Sequence, residues 1–110
     1  MRLPNYKNAI VDERKLRDYL LSQGHPVGRF KARFFAGIGF GSDDWSVLKE
    51  ELLKIALQRE AKMLQENTFG RRYLVLGTVT GRSGRTADVA TVWIIRSGDD
   101  APRLVTVYPN

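Results

Sequence analysis

Between His25 and Phe35 the chain reads HPVGRFKARFF, which sets its one histidine and three cations, Arg29, Lys31 and Arg33, around a proline and a glycine. These are residue types that can cut a phosphodiester without a metal. An imidazole whose ordinary pKa lies near neutrality can take or give a proton, and neighbouring cations can hold the phosphate as its charge develops. The reaction they would serve is attack of a ribose 2′-hydroxyl on the adjacent phosphate. It needs a base for that hydroxyl, an acid for the leaving 5′-oxygen, and donors around the phosphorane. The competing reading of His25 is an imidazole that ends a helix and is satisfied by backbone groups.

Composition narrows the alternatives. Zero cysteines exclude disulfides, thiolate catalysis and Cys-based zinc sites. With a single histidine and no apparent carboxylate cluster, neither a metal nor another cofactor is expected. The net charge of +6 points to an anionic partner such as RNA, because a basic surface gains affinity by releasing the partner's counterions. Its cations are spread over several segments (Arg29, Lys31, Arg33; Arg71, Arg72; Arg82, Arg85; Arg96, Arg103), which make either a phosphate-binding face or an ordinary mixed-charge surface. No window approaches the roughly 18 apolar residues of a membrane span. The opening MRLPNYKNAIVDE has no apolar core or small-residue cleavage site, so no secretory signal and a cytoplasmic location are expected.

These side chains need elements to carry them. Ala9-Ile10-Val11 reads as an edge strand or the lead-in to a first helix. Asp12 would cap that helix, with Leu16, Tyr19 and Leu20 on one face and Glu13, Arg14, Lys15, Arg17 and Asp18 mostly on the other. It should stop near Gln23-Gly24, since Gly24 can adopt the left-handed conformation and Pro26 restricts His25 to extended geometry. His25 then sits at an elbow between helices. The spacing of Phe30, Phe34, Phe35 and Ile38 predicts a second helix from about Gly28, ended by GIGFG. A third, capped by Ser42 or Asp43, lines up Trp45, Leu48, Leu52 and Ile55 and runs to about Arg59 or a little beyond.

Beyond Gly70 the pattern changes to short β-branched and aromatic runs at 72–80, 86–96 and 103–108, separated by the turns GRSGR and SGDDAP. This predicts an α+β fold in one domain, 1–110, with a helical part at about 12–65 packed on one face of an antiparallel sheet of three to four strands at about 71–109. Alternation puts Val89, Thr91, Trp93 and Ile95 on one face and Ala90, Val92 and Ile94 on the other, so that strand reads as central. In the last strand, Leu104, Thr106 and Tyr108 would share a face. Trp45, Leu48, Leu52, Ile55, Phe34, Val75, Trp93 and Ile95 are the expected core.

HPVGRFKARFF, together with KLRDYLL upstream and YLVLGTVTGRSGRTADVATVWII and RLVTVYP downstream, resembles a bacterial family of small domains of unknown function found alone or at the ends of polymorphic toxins. The resemblance runs from Leu3-Pro4-Asn5 to Pro109. The layout, helices followed by a sheet ending in a Thr-x-Tyr-Pro strand, is similar to the superfamily of barnase, the EndoU ribonucleases, colicin D and RelE-type toxins. That likeness implies a metal-independent ribonuclease. His25, Lys31 and Thr106 are then the candidate catalytic residues, and Arg29, Arg72, Thr91 and Tyr108 the candidate substrate-binding ones. Taken singly, Lys31 also reads as a solvated helix lysine, Thr106 as an ordinary strand threonine and Tyr108 as a half-buried tyrosine.

A different class of function is equally open to such a chain. A non-catalytic basic module would use the same face to hold nucleic acid or a partner protein, such as a cognate antitoxin or immunity protein. Catalysis requires His25 to converge with at least one of Lys31, Arg72 or Thr106 on an accessible cleft. Under either reading, affinity for nucleic acid should fall steeply between low and physiological ionic strength in a binding titration. A flat salt dependence would point to a protein partner instead.

Overall fold

The β-branched runs beyond Gly70 do assemble into one sheet, but it begins earlier than their composition implies. The computed structural model describes residues 1–21, 24 and 29–110, and its strands are β1 (Ala61–Asn67), β2 (Gly70–Thr80), β3 (Thr86–Arg96) and β4 (Arg103–Pro109). They are antiparallel and lie in the order β1-β2-β3-β4. β2 and β3 pair without interruption from Gly70 and Arg96 to Thr80 and Thr86. Gly84, at φ 83°, closes the hairpin between them, and Gly98, at φ 82°, turns the chain toward β4. Left-handed backbone of this kind suits a residue without Cβ.

Before the sheet come α1 (Glu13–Lys15), which continues into a π-helical turn (Leu16–Leu20), then α2 (Arg29–Gly37) and α3 (Trp45–Gln58). The Asp12 carboxylate accepts the Arg14 N–H at 2.9 Å, so the expected cap on the first helix forms. The expected elbow at His25 and Pro26 lies outside the described residues. The third helix starts differently from its expected cap. A 3-10 turn occupies Ser42–Asp44, and the Asp44 carboxylate reaches back to accept the Gly41 N–H at 2.8 Å. Neither Ser42 nor Asp43 is the cap; α3 opens at Trp45 with Asp44 before it.

The helical part does not extend to residue 65. α3 stops at Gln58 and β1 takes up Ala61–Asn67, a segment of alanine, lysine, methionine, leucine, glutamine and glutamate whose intrinsic preference is helical. Pairing overrides that preference. β1 lies along β2 with Ala61 opposite Val75, and its Ala61 N–H also donates to the Met1 carbonyl at 2.6 Å. At the other edge, Ile10 forms a parallel bridge to Arg103, donating to Pro102 O at 2.8 Å and accepting from Leu104 N–H at 3.0 Å. The N-terminal strap thus satisfies backbone groups on both edge strands, which would otherwise be open to foreign strands.

The core lies between α3 and the sheet. Leu48, Leu52, Ile55 and Ala56 of α3 face Tyr73, Val75 and Val79 of β2, with Val89, Trp93 and Ile95 of β3 beside them. Trp45 and Phe34, expected within the core, are only partly buried against it. Phe35 of α2 is fully buried, edge-on to Phe34 and Phe40.

β4 departs from simple alternation. Val92 pairs with Thr106, but Trp93 pairs with Leu104, so Val105 is an extra residue in a bulge. The bulge puts Leu104 and Val107 on the α3 side, where both are buried, and Thr106 and Tyr108 on the opposite side. Leu104 therefore does not share a face with Thr106.

α3 sits close to β2 because Gly77 has no side chain. A Cβ there would stand 2.6 Å from Ile55 Cγ1, inside the van der Waals limit, and Ile55 is 4% exposed and stiff at χ1. Gly77→Ala should accordingly destabilise the domain by about 1–3 kcal/mol in a denaturant or thermal melt. Ile55→Ala, which removes the γ carbons, should cost less in the Gly77→Ala background than in the wild type, a coupling measurable as a double-mutant cycle.

Candidate functional site

Lys31 lies on the buried side of α2: at 100° per residue it falls between partly buried Phe34 and fully buried Phe35, with exposed Arg33 and Ala36 on the far side. The aliphatic stem of such a lysine can run along apolar surface while its ammonium reaches further. It reaches β4: Lys31 Nζ donates to Thr106 Oγ1 at 2.6 Å, joining residues 75 apart in sequence. Two of the three candidate catalytic side chains are therefore in contact. The third, His25, lies outside the described residues, as does the side chain of Arg29, whose backbone opens α2.

A residue missing from the sequence reading joins this pair. Lys15, expected on the solvent side of the first helix, is half-buried, and its ammonium donates to the Val105 carbonyl at 2.8 Å. Lys15 and Lys31 thus take hold of consecutive residues on β4. Helical periodicity could not reveal this, because the contact depends on where β4 runs relative to α1. Burial, and next the like charge of Lys15, hold the Lys31 ammonium below the ordinary lysine pKa of 10.5.

The remaining candidates divide between the two faces of the sheet. Register places Thr106, Val92, Leu74 and Lys62 in one row across the face opposite α3, with Tyr108, Ala90 and Leu76 in the next. Tyr108 is 40% exposed and Leu76 43% exposed. On the other side of the Thr106 row lie Arg103, Ile94 and exposed Arg72. From strand spacing and rise, the Cβ atoms of Arg72 and Thr106 are about 12 Å apart, so both side chains could contact one extended substrate. Thr91 is on the wrong side for that. It faces α3 at 0% exposure, donates to Val75 O at 2.7 Å and accepts Trp93 Nε1–H at 2.8 Å, so its hydroxyl serves the core.

The same outer face ends in a groove of about 570 Å³, with Leu74 and Leu76 as its apolar wall, Lys62 beside them and Arg59 and Glu60 at the end of α3. It lies at the β1 edge, across the sheet from Lys31 and Thr106. Among the described residues there is no group of three or more His, Cys, Asp or Glu side chains able to hold a metal. No described helix is long and apolar enough to cross a membrane.

Comparison with solved structures finds a similar fold in a chain of a contact-dependent growth inhibition toxin–immunity protein complex from Klebsiella pneumoniae 342. The TM-score is 0.69 over 96% of each chain, at 16% sequence identity, a likeness of fold. No curated protein matches the chain. Residues 2–110 do match the model of a domain of unknown function, DUF6883, and the chain belongs to that family.

Proposed function

We propose that this domain is a toxin-type, metal-independent endoribonuclease that cleaves RNA through its 2′-hydroxyl. The observation that carries the reading is the 2.6 Å contact between Lys31 Nζ and Thr106 Oγ1, beside a second lysine, Lys15 of α1, that binds the neighbouring residue of the same strand. In the proposed reaction His25 takes the proton of the 2′-hydroxyl, whose oxygen attacks phosphorus. The bond from phosphorus to the 5′-oxygen breaks, and Lys31 protonates the leaving oxygen. The products are a 2′,3′-cyclic phosphate and a 5′-hydroxyl. Thr106, accepting from the Lys31 ammonium, is free to turn its own hydroxyl hydrogen toward a phosphate oxygen. Arg29 and Arg72 hold neighbouring phosphates, and Tyr108 offers a hydrogen bond or a ring on the same face.

The basic charge and the likeness to a fold seen in a toxin–immunity complex also support a protein partner. We propose an immunity-type protein with an acidic surface, docking over the outer sheet face so that it excludes RNA.

Incubating the purified domain with total RNA in chelator, and mapping the ends, tests the reaction. Cleavage should leave 2′,3′-cyclic phosphates and spare DNA. His25→Ala and Lys31→Ala should each lose on the order of 10²–10⁴ in rate, with the fold intact by melting. Full activity in either variant would overturn the mechanism, and no cleavage of diverse RNAs would favour the binding module.

The pH profile provides an independent check. Lys31 acts in its protonated form, and its pKa is lowered, so the protonated fraction is lost as pH rises through a midpoint below that of an ordinary lysine. The rate should therefore fall on the alkaline side before pH 10.5 is reached, and the falling limb should disappear in Lys31→Arg, whose guanidinium stays charged.

A further inference from the structure

The bulge of β4 and the two lysines that grip it raise the question of what keeps Thr106 in line with Lys31. β4 is an edge strand, and the backbone bridge to the N-terminal strap is at Arg103 and Ile10. Two residues further along, at the extra residue of the bulge, the Val105 carbonyl is held by the Lys15 ammonium at 2.8 Å. The next residue is Thr106, whose hydroxyl accepts from Lys31. A slip at the bulge would return Thr106 toward the α3 face, because alternate residues of a strand point to opposite sides.

We propose that Lys15 is a positioning residue of this site: by binding the Val105 carbonyl it steadies the bulge, which burial of Leu104 and Val107 creates, in the geometry that presents Thr106 to Lys31. The proposal rests on the assignment of Lys31 and Thr106 to the reaction. Lys15 is set up for such a task by its own surroundings. The cap at Asp12 fixes the start of α1, and Leu16, the residue after Lys15, is fully buried, so the lysine's backbone is anchored at both ends.

Charge adds a second effect. Among the described side chains, the ionic groups on the elements that meet here are Lys15, with Asp12, Glu13, Arg14, Arg17 and Asp18 on and around α1, Lys31 and exposed Arg33 on α2, and Arg103 on β4. Asp12 is engaged with Arg14, Asp18 with Arg17, and Asp99 with Arg103. Lys15 is the like charge that bears on Lys31, favouring loss of the Lys31 proton, and both ammonium groups become better accommodated when a phosphate arrives between them. The same residue that aligns the hydroxyl therefore also makes its neighbour a readier proton donor.

The test compares wild type with Lys15→Met and Lys15→Arg, using NMR titration of the Lys31 side chain, the Thr106 resonances, and steady-state cleavage of an RNA oligonucleotide. In Lys15→Met the Lys31 midpoint should move up toward the ordinary lysine value and the Thr106 resonances should shift. kcat should drop by about tenfold to a hundredfold with KM changed much less, as expected when a reacting group is misplaced rather than binding lost. Lys15→Arg, which keeps charge and donor, should recover most of the loss. If Lys15→Met does not fold, Lys15→Gln is the decisive variant, since its shorter neutral amide cannot hold the Val105 carbonyl as the ammonium does: the Thr106 resonances must still shift. Unchanged Lys31 titration and Thr106 resonances on removal of the lysine would overturn the proposal. A wild-type domain that cleaves no RNA would instead overturn the ribonuclease reading, while the NMR measurements still decide the role of Lys15.

Discussion

One extra residue in an edge strand governs both faces of this sheet. β4 must bury Leu104 beside Trp93 and Val107 beside Thr91, yet these two residues are three apart, and in a regular strand they would point to opposite sides. The bulge at Val105 resolves the conflict, and both side chains enter the core. Thr106 and Tyr108 then fall on the opposite face, where Lys31 meets the hydroxyl. The same irregularity leaves the Val105 carbonyl for the Lys15 ammonium. Core closure and site geometry are two consequences of a single register shift.

The two faces are chemically distinct. On the α3 side, Thr91 is sealed into a relay from Trp93 Nε1 through its hydroxyl to the Val75 carbonyl, so a buried polar atom incurs little desolvation cost. On the outer side, Lys62, Arg72, Thr106 and Tyr108 surround an apolar centre of Leu74, Leu76, Val92 and Ile94.

A shared fold with a chain of a toxin–immunity complex, at 16% identity, describes the frame more than the chemistry. In this chain two lysines are placed against β4. Lys15 and Lys31 come from different helical segments and grip consecutive strand residues. Two like charges so close are electrostatically unfavourable to each other.

Much of the frame is legible in the sequence because local rules agree with the tertiary outcome. Asp12 caps a helix, Gly84 and Gly98 take left-handed turns, Leu48, Leu52 and Ile55 share a buried face, and β3 is apolar on both sides because it is central. Lys31 could be singled out as a cation six positions beyond His25, and Thr106 through the Thr-x-Tyr-Pro strand on which the family resemblance rests. Their contact, across 75 residues, could not be read. Three features were decided only by packing. β1 is a strand of helix-forming residues held by its pairing with β2, and β4 is bulged because Leu104 and Val107 must both be buried. Lys15 leaves its solvent-side position because a carbonyl of another element comes within reach. Periodicity reports how a segment relates to its own axis; which neighbour it meets, and in what register, depends on contacts between residues far apart in the chain, and those exist only once the sheet has formed.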